Sequence, residues 1–502
     1  MIEIHWSQQA GFPLLGALQL LPLLGAALVT FQRERSWAPY IGQGVALLEL
    51  GLALQLRRSL DIHSPVLQLA ERVQLLGPFG YHAAADGVTV LFVLLSALLT
   101  LLVSIYSVER KLPDQASLQA IILIIEAVLM SMLATTNLLW FVLSSALELA
   151  LVGYLAWRWA SGPEKDIALT RFYHFQGTGL LLLLAGTLTL GWAHADVRGG
   201  AWSFDLVELA GLPVTATIGS IAFFVLFYGL AVRTPLFPMH GWLPIVAQHG
   251  NLSIGPTFLG IKVGIYGMVR FVFPVLPEAV DRWNAYAVGF AVTGVFYAAF
   301  LAFLQTDLRR MMAFAVVSHT SLLMIGLFTL HPAAFQGAML LAVNFGLAAT
   351  TMLFMIGFVF QRTRTTELAH LGGLFDRLPF IGVAFFVSGL GIIGMPGTPG
   401  FDALHLILEA SMERYGALLT IASAIGNVLA AGFLLLAFQR AFLARRPDAL
   451  PDYVLERTTR TEMALALVVI VLQLVAGFYL EPWLELVEAP LNALSERFGT
   501  PQ

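Results

Sequence analysis

Runs of about 18 to 25 mostly apolar residues recur along the chain, separated by short polar gaps. Each run is long enough to cross the hydrocarbon core of a bilayer as a helix. Fourteen such spans are predicted, at about 11–31, 38–56, 86–107, 117–134, 136–158, 174–194, 214–232, 253–275, 283–304, 312–330, 334–361, 379–398, 416–443 and 463–482. The stretch 401–415 reads as a second half of the twelfth span. The first run lacks a basic region ahead of it, so it is expected to be the first helix rather than a cleaved leader. The longest gaps, 57–85 and 443–462, are read as loops too short for a soluble catalytic domain.

Composition agrees with this pattern. Of 502 residues, 58% are hydrophobic and 12% charged, against a charged fraction of about a quarter in soluble domains, and mean hydropathy is +0.81. The fold class predicted is an all-α polytopic membrane protein. With no cysteine, disulfides, thiolate metal sites and Cys-held clusters are excluded. The net charge of -4 does not alter the picture, but the distribution of basic residues does. Gaps after odd-numbered spans hold eighteen Lys and Arg and the opposite gaps seven, which predicts odd-numbered loops in the cytoplasm and both termini outside a plasma (inner) membrane. No phosphate-cradling loop, HExxH motif or paired His spacing for haem occurs, so no cofactor, metal or nucleic acid is expected. There is no self-contained active site, and any chemistry has to take place inside the membrane.

Few groups are available there. Glu126, in Ile124-Ile-Glu-Ala127, and Glu148 are lone carboxylates in apolar runs, expected to be paired or protonated. Arg233 interrupts an apolar segment together with Pro235, Pro238 and His240. It reads either as a snorkelling residue at the interface or as a buried partner for Glu148. Lys262, in Gly260-Ile-Lys-Val-Gly264, reads as a titratable lysine or as half of a structural ion pair. His319, in Ser318-His-Thr-Ser321, suits proton passage or plain packing. After the break Gly394-Met-Pro-Gly-Thr-Pro-Gly400 come Asp402, His405 and Glu409, three titratable groups on one helical face. They read as a relay or as a solvated outer half-helix. The two breaks fall in the seventh and twelfth spans. That spacing of five is what two inverted five-helix repeats would produce, each with a broken helix. The implied divisions are 1–110, with three helices, then repeats at 111–275 and 276–443, and 444–502 with the last helix and tail.

These residues carry a resemblance. Ala231-Val-Arg-Thr-Pro-Leu-Phe-Pro-Met-His-Gly-Trp-Leu-Pro244, followed by Lys262, Tyr266-Gly267 and Arg270-Phe271, resembles the core signature of the antiporter-like subunits of complex I, membrane-bound hydrogenases and Mrp antiporters. The subunit M branch is the most similar. Tyr81-His82 with Asp86-Gly87, Glu148-Leu149, Asp307-Leu-Arg-Arg310, Val317-Ser-His-Thr320, Arg362-Thr-Arg-Thr-Thr-Glu-Leu368 and Leu371-Gly-Gly-Leu-Phe375 extend the likeness over about 80–440. The resemblance implies that Glu148 is the ion-pair glutamate, that Arg233 stands at the seventh-helix lysine, and that Lys262 and His319 are the central lysine and the tenth-helix histidine. Departures accompany it. Arg233 replaces a lysine, and a guanidinium hardly deprotonates. The tract after Trp242-Leu-Pro lacks the usual Asp-Ala-His. Phe345 stands where a His or Lys is expected, and Leu404 where a charged residue is expected.

The function so implied is a proton-translocating subunit of a larger membrane complex, with other membrane subunits and the bilayer as partners and protons, or alternatively Na+, as the ion. The competing classes are an Mrp-type cation/proton antiporter subunit, an energy-coupling subunit of a hydrogenase or inorganic-carbon-accumulating complex, and a non-conducting structural paralogue.

Overall fold

A computed structural model describes residues 3–76, 79–160, 162–250, 262–445 and 456–499. Eleven helices among them are long and apolar enough to cross a membrane. In chain order the helices are α1 (Leu14–Phe31), α2 (Ala38–Ser59), α3 (Gly87–Glu109), α4 (Gln115–Ala134), α5 (Leu138–Arg158), α6 (Lys165–Val197), the short α7 (Leu206–Leu209), α8 (Ala216–Arg233) and α9 (Leu243–His249). After Lys262 come α10 (Val263–Val275), α11 (Pro277–Phe303), α12 (Leu308–Phe328), α13 (Pro332–Thr363), α14 (Pro379–Ile393), α15 (Pro399–Tyr415), α16 (Ala417–Leu443), α17 (Arg460–Phe478) and α18 (Glu481–Ser495).

Three predicted spans are not among these eleven, each falling short in either length or hydropathy. One is α2, which holds Glu49, Arg57 and Arg58. The other two are the shorter apolar helices α10 and α14; the predicted span 253–275 begins outside the described residues.

The strictly all-α expectation is corrected at the N-terminal end of α3. There β1 (Glu3–His5) runs parallel to β2 (Leu67–Leu76), and β2 pairs antiparallel with β3 (Phe79–Ala85), with Arg72 opposite His82. The stretch 57–85 is therefore not a plain loop. A strand of ten residues is too short to register in a window sized for a spanning helix. His82 locks the sheet to the start of α7: its Nδ1 lies 2.5 Å from Asp205 and its Nε2 2.9 Å from Glu3, which also pairs with Arg72. A second addition is α18, where only a tail was expected. Leu486, Val487, Leu491 and Leu494 bury its apolar face. Gly87 allows the approach, because a Cβ there would lie 1.6 Å from the Leu486 carbonyl oxygen.

Both predicted breaks are present. α8 ends at Arg233, and the backbone turns through Pro235 and Pro238 before α9, held by the Trp242 indole N–H donating to the Val232 carbonyl at 3.1 Å. α14 ends at Ile393, Gly394 takes φ 67°, and α15 starts at Pro399. Proline supplies no backbone donor in either turn, so each helix has to stop. The most enclosed helices are α12 and α13, and they form the middle of the helical body against which the site is built.

Candidate functional site

The site starts from helix ends. Asn137 caps α5, its side chain accepting from Trp140 N–H at 3.0 Å, and so fixes the helix that carries Glu148. Asp307 does the same for α12, accepting from the Arg309 and Arg310 N–H groups at 2.8 and 3.2 Å and from the Thr366 hydroxyl at 2.5 Å. The Asp-Leu-Arg-Arg motif is thus a cap that sets the position of His319. Asp86 caps α3 and also takes Arg270 at 2.6 Å, tying α3 to the π-helical turn Met268–Val272 of α10.

Glu148 and Arg233 meet as expected. Arg233 Nη2 lies 2.8 Å from Glu148 Oε2, with side chains 3% and 0% exposed, so Arg233 is not an interfacial snorkel. The contact is single-pronged. Glu148 Oε1 and Arg233 Nε and Nη1 have no hydrogen-bond partner among the described residues. A buried pair with that many unmatched polar atoms gains little net stability, yet removing either member strands the other charge.

Lys262 is buried ahead of α10 in the left-handed backbone region, φ 59°. Its ammonium donates to the Thr320 hydroxyl and sits 4.6 Å from the centre of the Phe345 ring. No carboxylate pairs with it among the described residues, which argues against the structural ion pair. Gly264 lets this segment press on the end of α8: a Cβ there would fall 1.9 Å from Thr234 Oγ1 and 2.6 Å from the Leu230 carbonyl oxygen. His319 is buried too. Its ring lies 5.4 Å from that of Phe345, and neither nitrogen has a partner among the described residues. Phe345 therefore contacts both Lys262 and His319. Its neighbour Asn344 donates to the Gly391 carbonyl at 2.8 Å, anchoring α13 to the second break.

Asp402, His405 and Glu409 do not join this group. His405 and Glu409, 3.7 Å apart, are 68% and 63% exposed in this single chain. The cause is the opposite stripe of α15, where Ala403, Leu404, Ile407, Ala410 and Ser411 are buried; the face read as a relay or as a solvated half-helix is the more exposed one. Glu126 accepts hydrogen bonds from Ser96 at 3.0 Å and from Thr100. Sequence reasoning missed Thr320 as the lysine's acceptor and Glu49 as a fully buried carboxylate. Glu49 carried a usable signal, being an acid in an apolar run just as Glu126 is. No cluster of three or more His, Asp or Glu suited to a metal occurs among the described residues.

Glu148, Arg233, Lys262, His319, Asp402, His405 and Glu409 all fall in residues 135–430, which match the family described as "NADH:quinone oxidoreductase/Mrp antiporter, TM". The chain belongs to that family. Similarity to members of the NADH:quinone oxidoreductase/Mrp antiporter family extends over nearly all of it. NADH-quinone oxidoreductase subunit M of Escherichia coli (strain K12) is 27% identical, covering 97% of this chain and 98% of the relative. NAD(P)H-quinone oxidoreductase chain 4 1 of Synechococcus sp. (strain JA-2-3B'a(2-13)) is 29% identical, with 93% and 90% covered. Among solved structures, a chain of respiratory complex I from Thermus thermophilus with bound NADH shares the fold at a TM-score of 0.86 and 23% identity, covering 97% and 100%. A chain of the Mrp complex from Dietzia sp. DQ12-45-1b does so at 0.86 and 19%, covering 97% and 98%. The family member described here is accordingly a multi-pass membrane protein whose relatives are subunits of multi-subunit membrane complexes.

Proposed function

We propose that this chain is a proton-translocating subunit of a larger membrane complex, sited in the plasma membrane with both termini outside. The observation that carries the reading is the buried Glu148–Arg233 pair in the same helical body as a buried Lys262 that has no carboxylate partner among the described residues. A guanidinium keeps its proton, so Arg233 acts as a movable charge and Lys262 as the carrier. With the pair closed, Glu148 offsets Arg233 and Lys262 holds its proton. When the pair opens, the uncompensated Arg233 charge repels the ammonium, and the proton leaves toward His319. Fourteen spans result if α2, α10 and α14 cross with the other eleven, and the breaks after α8 and α14 fit two inverted five-helix repeats. The partner is another membrane subunit, and the relatives named above support a respiratory or antiporter setting.

A second reading, a structural paralogue that does not conduct, is favoured by one observation: the apolar Phe345 ring touches both Lys262 and His319. Proton uptake into vesicles containing the assembled complex separates the two. Lys262→Met abolishes coupled uptake while assembly persists; unchanged uptake in that variant leaves only the structural reading.

A further inference from the structure

A second polar lane runs inside the membrane domain, in helices that precede the family-matched segment. On α3, Ser96, Thr100, Ser104 and Ser107 recur at intervals of four, four and three residues, and all four are fully buried. On α4, Gln115, Gln119 and Glu126 follow at intervals of four and seven, sharing one face. α2 adds Glu49 and, seven residues earlier on the same face, Gly42, whose missing side chain leaves room for Gln119: a Cβ would stand 2.6 Å from Gln119 Oε1. In a bilayer such polar residues are costly, and a line of them needs a reason.

The lane is continuous near its mouth at the α3–α4 turn. Gln115 Nε2 donates to the Ser107 carbonyl at 2.8 Å, Gln119 Nε2 donates to the Ser107 hydroxyl at 2.9 Å, and the Ser104 hydroxyl donates to Gln119 Oε1 at 2.6 Å. One helical turn further in, the Thr100 and Ser96 hydroxyls both donate to Glu126 Oε2. One turn is about 5.4 Å, a gap that a single water spans. From Ser107 to Ser96 the lane descends about 16 Å, half of the roughly 30 Å hydrocarbon thickness, and there it ends.

At the inner end stand two carboxylates. Glu49 is 0% exposed, and neither of its oxygens has a hydrogen-bond partner among the described residues; Glu126 Oε1 is likewise unpartnered. Gly42 abuts Gln119, and Glu49 and Glu126 each stand seven residues further along their helices from that contact, so the two carboxylates occupy the same part of the interior. None of the ion pairs formed among the described residues includes either of them. Two carboxylates buried together without a cation cannot both stay ionised.

We propose that Glu49 and Glu126 form a second proton-binding site, filled from the α3–α4 turn through the Ser107, Gln119, Ser104 and Thr100 lane. A hydronium ion at the mouth gives up a proton and is left as water, the hydroxyls and bridging waters of the lane each accept one proton and release another, and an O–H bond forms on a carboxylate oxygen of the pair. The site does not depend on conduction through Lys262.

Infrared spectroscopy of the assembled complex in H2O and D2O tests this. The wild-type protein shows a protonated-carboxyl band that exchanges in D2O, and Glu49→Gln or Glu126→Gln removes or displaces it. Gln119→Leu keeps both carboxylates and slows the exchange by about tenfold or more, which a merely structural protonated pair would not show. If a glutamine variant fails to assemble, the Gln119→Leu exchange rate decides alone. A missing band, or exchange indifferent to Gln119→Leu, overturns the proposal. So does stabilisation by NaCl over choline chloride that is lost in Glu49→Gln, which would make the pair a Na+ site.

Discussion

At the first break Arg233 closes α8 with its side chain 3% exposed and 2.8 Å from Glu148, whereas at the second break His405 and Glu409 leave the interior and are more than half exposed. Both segments interrupt an apolar helix with Pro and Gly, and both are followed or bounded by charge. What separates them is the facing helix. α5 presents a carboxylate to the end of α8, so the first break has its counter-charge within the chain. α12 and α13 present apolar and small residues to α15: Ile407 lies against Gly326 and Gly337. The apolar stripe of α15 takes the inside and its ionisable stripe faces out. A break alone marks where a charge sits along the chain; the neighbour decides whether that charge is enclosed.

Substitutions at the two breaks sharpen this contrast. Arg233→Leu leaves Glu148 buried and unpaired and costs about 3–5 kcal/mol, read as lost thermal stability of the assembled complex, with Glu148→Gln in the same chain recovering part of it. Gly264→Ala drives a Cβ into Thr234 and the Leu230 carbonyl where α10 meets the first break. It costs about 1–3 kcal/mol, and Thr234→Ala relieves only the side-chain share. Phe345→Leu removes the aromatic face under the Lys262 ammonium and costs about 1–2 kcal/mol, measured the same way. At the second break Glu409→Gln changes the stability of the chain by no more than about 0.5 kcal/mol. A cost there as large as that of Arg233→Leu would erase the distinction.

Much of this was legible in the sequence because the signals were local. Spans follow from apolar run length, the breaks from Pro and Gly, and Glu148, Arg233 and Lys262 from charge in apolar surroundings. The pairing of Glu148 with Arg233 was readable because each needed a counter-charge and the apolar runs offered few. The outward turn of His405 and Glu409 was not, since ionisable groups on one face look alike whether that face is lined or covered. The deciding residues, Ala403, Leu404 and Ile407, form an equally regular stripe. The β2–β3 hairpin escaped because its strands are shorter than the window that finds spans, and Thr320 because an uncharged hydroxyl carries no signal until a lysine is placed beside it.

The central claim is that the charge of Arg233, and not its loss of a proton, acts on Lys262. Proton uptake into vesicles carrying the assembled complex, compared between Arg233→Lys and Arg233→Gln, tests it most directly. The account predicts that Arg233→Lys keeps coupled uptake and Arg233→Gln loses it with assembly intact; uptake preserved in Arg233→Gln would contradict it.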